Sequence, residues 1–154
     1  MWSDEARAAS AAARGGAHQT GVNQIGRPVL SPKAVEIATS HPDGFSVKPD
    51  GSQPTKGYMV ALPGHSLVAD AAVFHSPAGR ALIEAHAQAH ADALKQSGAY
   101  LGGWTDKANG KTYVEVSHNI QNRNAAIRTG VSRNQKAIYD VRKGKDIKTG
   151  GTGE

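Results

Sequence analysis

The stretch that most constrains the fold runs from Ala99 to Gly151. Ala99–Thr105 and Thr112–Ser117 are two runs of β-forming residues. They flank Lys107-Ala108-Asn109-Gly110, and an Asn-Gly pair between two such runs is a strong hairpin signal. Asn119 and Asn122 can both cap the helix that follows, over roughly Arg123 to Gln135. Lys136–Val141 then reads as a short strand. Strand, turn, strand, helix and strand in this order predict a helix lying on an antiparallel sheet.

The preceding segment extends the pattern. Tyr58–Leu62 is a β-prone run closed by the turn pair Pro63-Gly64, and His65–Ala69 is its expected hairpin partner. Ser76 and Pro77 are a cap and a first helical residue, so a helix is expected from there to about Gln96, stopped by Gly98. The expected fold is therefore α+β: a small, mainly antiparallel sheet with two helices in the order ββαββαβ, covering residues 57–149. Residues 1–56 are expected to be largely extended or disordered. They comprise an Ala-rich helix at 3–14 with no large apolar residue to bury, then a Gly/Pro-rich linker interrupted by a short helix at Ser31–Ala38. Residues 150–154 are expected to form a flexible tail. Leu101-Gly102-Gly103-Trp104 marks a bulge or a close backbone approach inside a strand, and Gly130 marks close packing of the second helix on the sheet.

Composition narrows the chemistry. The 154-residue chain has no cysteine, which excludes disulfides, thiolate metal sites and a thiol nucleophile. No apolar run approaches the ~18 residues of a membrane-spanning helix. The net charge of +5 favours polyanionic partners. The excess is concentrated in the C-terminal third, where Arg123, Arg128, Arg133, Lys136, Arg142, Lys143, Lys145 and Lys148 face only Asp140 and Asp146. Such a surface neutralises phosphates, and Trp104, Tyr113 and Tyr139 on the expected strands offer stacking surfaces. The plainer reading is a solvated helix face with the aromatics in the core.

Two further constellations are candidates for chemistry. His86 and His90 lie one turn apart on the apolar stripe Leu82, Ile83, His86, His90 and Leu94. That spacing can ligate a zinc ion, with a third ligand from His75, His65, His118 or Glu84. Ala87 stands where a metalloprotease helix needs glutamate, so that chemistry is not supported. Packing at the edge of a thin core explains the pair without a metal. Glu115 and His118 near a sheet end, with Arg123 or Arg128 beside them, form a candidate acid–base site, and exposed strand residues are the simpler reading.

The segments GYMVALPG, YLGGW, KTYVEVS and NAAIRTGVSRNQKAIYDV, followed by TGGTG, resemble an uncharacterised domain of actinobacterial tailed-phage virion proteins, a C-terminal extension like those of head-morphogenesis minor capsid proteins. The resemblance covers about residues 57–153. It implies a virion-associated structural or accessory domain, found in the virion or the host cytoplasm, that binds another virion protein or DNA non-specifically, with no cofactor and no catalysis. The alternative is a small phage-delivered effector enzyme acting on nucleic acid or nucleotides, with zinc as its candidate metal.

Overall fold

The computed structural model describes residues 28–153, and the Ala-rich helix expected at 3–14 lies outside them. The chain forms α1 (Pro32–Ser40), β1 (Gly44–Val47), β2 (Tyr58–Ala61), β3 (Leu67–Asp70), α2 (Ala71–Phe74), α3 (Pro77–Ala89), α4 (Ala91–Leu94), β4 (Ala99–Asp106), β5 (Lys111–Ile120), α5 (Arg123–Ser132), β6 (Ala137–Asp140) and β7 (Lys145–Lys148). All strands pair antiparallel in one curled sheet of order β1-β4-β5-β2-β6-β7, with β3 also on β5. The α+β expectation holds, with five helices and seven strands among the described residues.

The β4–β5 hairpin is the spine. Its register is continuous from Ala99↔His118 to Asp106↔Lys111. The turn is built as its residues dictate: Asp106 Oδ1 accepts from Ala108 N, Asn109 Oδ1 accepts from Lys111 N, and Gly110 takes φ +70°. The ten-residue β5 is long enough to take two partners end to end. Val114 faces Leu67 of β3, and Ser117 faces Ala61 of β2. The hairpin expected between 58–62 and 65–69 therefore does not form. Pro63 and Gly64 carry the chain along β5 instead of folding it back.

Residues 28–56 are not the linker that their Gly and Pro content suggests. Ser31 Oγ caps α1 by accepting from Ala34 N, with Pro32 at the first turn. β1 pairs with β4 as an edge strand, and Leu30, Val35, Phe45 and Val47 enter the main core. Glycine makes room for this pairing, since a Cβ on Gly103 would stand 2.2 Å from the Phe45 ring. The paired glycines thus mark a close approach without a bulge.

The C-terminal end is also more ordered than expected. Lys145–Lys148 forms β7 on β6, and the tail is docked: Gly151 N donates to Gln135 O, and Gly153 N and Thr152 N donate to Asn134. Asn134, at φ +54°, turns the chain out of α5 to meet it. The helix expected to run to Gln96 is broken at His90, whose φ of −117° ends α3 and starts α4.

The helices line one face of the sheet. Ile83, Leu101, Val47, Val114 and Val116, all fully buried, form the main core beneath α1–α4. Burying each such side chain contributes about 1.5–3 kcal/mol. A smaller cluster of Val60, Ala126 and Ile138 sits under α5, where Gly130 lets the helix come close to Ile138. The opposite face is free of described helices. Because the sheet curls, β1 and β6–β7 rise on either side of it and enclose a cleft.

Candidate functional site

The cleft has a volume of about 640 Å³. Its floor is made by the side chains that alternate away from the core: Ser46 of β1, Gly102 and Trp104 of β4, Glu115 and Ser117 of β5, Met59 and Ala61 of β2. Tyr139 and Asp146 form the far wall, and Asp43 lies at the near rim. Glu115, 6 % exposed, is the principal charged group on the floor. Its Oε1 accepts from Trp104 Nε1 at 2.9 Å and its Oε2 from Ser66 Oγ at 3.3 Å. The Trp104 ring stacks on Tyr113, centroids 4.7 Å apart and planes 13° apart, and Tyr113 Oη is held by Asn109 Nδ2. Indole, carboxylate and phenol are thus locked by the hairpin register, which pairs Trp104 with Tyr113 and Gly102 with Glu115. At the rim, Asp43 accepts from Thr105 Oγ1 at 2.5 Å and pairs with His75 Nε2 at 3.1 Å. The Thr105 hydrogen bond, with His75 and Lys107 nearby, holds its carboxyl below the usual value.

Glu115 and His118, read together from the sequence, are not brought together. Three residues apart on an unbroken strand, they leave on opposite faces. His118 points to the helices. Its Nδ1 accepts from Arg133 at 3.1 Å and its Nε2 is bonded to Gln96 Oε1 at 2.9 Å. Burial, then Arg133 and then His65 lower its pKa, so the neutral ring with Nε2–H suits the site. Arg133 also donates to the Val60 and Ala61 carbonyls, so it braces β2 from inside and leaves the proposed anion surface. Burial lowers its own pKa.

His86 and His90 do meet, at 4.4 Å between ring centroids, and His65 joins them at 4.8 Å from His90. The contacts are between tilted rings. His86 Nε2 donates to His65 O and His65 Nδ1 to Pro63 O, which ties the imidazoles to the bend between β2 and β3. Among the described residues no three His, Cys, Asp or Glu side chains are grouped to hold a metal ion. Of the other candidate ligands, His75 is on Asp43 and Glu84 is paired with Arg80.

The remaining basic candidates are exposed, and the register gathers them. Tyr58 pairs with both Ile120 and Asp140, and Asp140 pairs with Lys145. The end of β5, the start of α5 and the β6–β7 turn therefore share one end of the sheet. Arg123, Arg142, Lys143 and Lys145 lie there, with Lys56 next to Asn119 through its carbonyl. Among the described residues none of these five forms an ion pair. Asp140, the acidic residue in their midst, is 7 % exposed and its Oδ1 is taken by Lys143 N. The capped N-terminus of α5, with Asn122 accepting from Ala125 N, adds its dipole to the same end. Arg128 lies further along α5, about 7 Å from Arg123 along the helix axis.

Sequence reasoning missed the cleft itself. Its signal was the alternation Tyr113, Glu115, Ser117, which places polar side chains on one face of a strand whose other face is apolar. No helix among the described residues is long and apolar enough to cross a membrane. Comparison with protein-family models, curated proteins and solved structures finds no match.

Proposed function

We propose that the protein is a non-enzymatic binding domain whose cationic end holds a polyanion, DNA without regard to its sequence, in the virion-associated setting that the resemblance implies. The observation that carries this reading is the gathering of Lys56, Arg123, Arg142, Lys143 and Lys145 at one end of the sheet, clear of any described carboxylate partner. Unpaired cations on short turns and a helix start gain most from releasing counterions off a phosphate backbone.

The test is binding of a fluorescently labelled 20-base-pair duplex followed by anisotropy across salt concentrations. The wild-type chain should bind at low salt, with a log–log salt slope of about −0.9 per phosphate neutralised. Replacing Arg123, Arg142, Lys143 and Lys145 together by glutamine should flatten the slope by about 3–4 and weaken binding at least tenfold. Equal binding by the variant, or none by the wild type at low salt, overturns the reading.

The enzymatic alternative, acting on nucleotides, has one observation in its favour: a carboxylate held in a cleft of ligand size. The partner it would use from the sequence, His118, is on the other face of β5. Asp43, Glu115 and Asp146 against Lys136 also make the cleft a poor host for phosphates.

A further inference from the structure

Of the three aromatic rings that the sequence offers for stacking, the fold itself uses two. Trp104 and Tyr113 stack on each other at the hairpin, and Tyr113 is buried. Tyr139 stands 41 % exposed on the cleft side of β6. Met59 is directly across from it on β2, and Asp146 directly across on β7. The ring also reaches the cationic end. A Cβ on Gly144 would stand 3.6 Å from Tyr139 Oη, so the phenol lies against the turn that carries Arg142 and Lys143. That turn is pinned. Asp140 Oδ1 accepts from Lys143 N, Asp140 O accepts from Gly144 N at 2.8 Å, and Gly144 takes φ +64°. An exposed aromatic face and a backbone-fixed pair of cations are therefore adjacent.

We propose that the cationic end takes single-stranded DNA, with one base stacked on Tyr139 and the phosphates beside that base at Arg142 and Lys143. The stacking site rests on the DNA-binding reading above and adds to it the form of the strand. Cations alone hold any phosphate backbone. A tyrosine ring stacks only on a base whose face is open, which a single strand offers and a duplex does not. Every base has such a face, so stacking tolerates any sequence. Asp146 sorts the two halves of a nucleotide. Its carboxylate repels a phosphate from the cleft side of β7, and an uncharged base meets no such penalty. The cleft of about 640 Å³ beside the ring has room for the base, and Met59, Val141 and Pro54 give it apolar lining.

The experiment is fluorescence anisotropy at low salt with three labelled probes: oligothymidine, an abasic strand with the same number of phosphates, and the duplex. The wild type should bind oligothymidine at least about fivefold more tightly than the abasic strand. Tyr139→Ala should lose at least about fivefold on oligothymidine and nothing on the abasic strand or the duplex. Tyr139→Phe, which keeps the ring, should bind within about twofold of the wild type, and the salt slope should be unchanged in both variants. Should the alanine variant fail to fold, Tyr139→Leu, which keeps apolar bulk without an aromatic face, replaces it with the same expected loss. Equal binding of oligothymidine and the abasic strand by the wild type overturns the stacking site. So does equal binding of oligothymidine with and without the ring, or an equal loss on all three probes. Replacing Arg123, Arg142, Lys143 and Lys145 by glutamine reads the cationic end separately. If that variant weakens on all three probes while Tyr139→Ala weakens on none, the cationic end stands and the stacking site falls. If it binds all three as the wild type does, the DNA-binding reading itself falls.

Discussion

The two faces of the sheet use the same strands for opposite ends. On β5 the even-numbered side chains Thr112, Val114 and Val116 are fully buried beneath the helices, and the odd-numbered Tyr113, Glu115 and Ser117 line or support the cleft side. One face is sealed by apolar contact, and the other holds its polar groups by bonds between neighbours on the sheet. A strand can therefore carry an apolar, packed side and a polar, cleft-facing side at once, provided its register is fixed. The ten-residue pairing of β4 with β5, together with β3 and β2 sharing one long partner, supplies that fixity.

The largest separation between the faces should come from truncating the core. Leu101, with no exposed surface, packs on the helix side beside Val116 and Val47. Leu101→Ala should cost about 2–5 kcal/mol, measured by urea unfolding, and should lower the midpoint without altering the slope. A loss below ~1 kcal/mol would mean that the helix layer is not what stabilises the sheet.

Legibility in the sequence followed the range of the interactions. The β4–β5 hairpin, the Asn122 cap and the Ser31–Pro32 start of α1 were readable because a few adjacent residues decide them. β1 and β7 were not, because edge strands of four residues owe their conformation to a distant partner: Phe45 to Gly103, Ile147 to Ile138. The same holds for β2 and β3, whose expected hairpin lost to the length of β5. Of the site residues, the pairing of Glu115 with His118 failed on strand periodicity, which the sequence itself contains. The withdrawal of Arg133 from the basic surface was not readable, since it depends on the Val60 and Ala61 carbonyls more than 70 residues away. The gathering of Arg123 with Arg142, Lys143 and Lys145 is likewise a product of topology, although the basic composition of that third was plain.

An intermediate effect should appear with pH on the helix side. His118 is packed against Arg133, Gln96 and, more distantly, His65, while His86 and His90 crowd the nearby bend. Its folded pKa lies below the ordinary 6.5, so the unfolded chain takes up the proton first as pH falls. The stability that the neutral ring contributes is complete above about pH 6.5, shrinks as pH falls through that value toward the lowered folded pKa, and is gone below it. Thermal unfolding at pH 7.5 and pH 5 should show a drop in Tm for the wild type that is smaller in His118→Gln. Parallel drops in the two proteins would locate the acid sensitivity in the other histidines.

The smallest effect should be on the cleft floor. Ser117 sits beside Gly102 on the polar face, and its hydroxyl lines open space. Ser117→Ala removes a hydroxyl that faces the cleft and leaves the backbone pairing with Ala61 and Tyr100 intact. Its cost in stability should stay below ~1 kcal/mol, several times less than that of Leu101→Ala on the next strand. A cost as large as the core truncation would mean that the cleft face is held by packing in the way the helix face is, and the division of β5 into a packed side and a polar side would fail. A small cost leaves that face able to change its polar lining without unfolding the sheet.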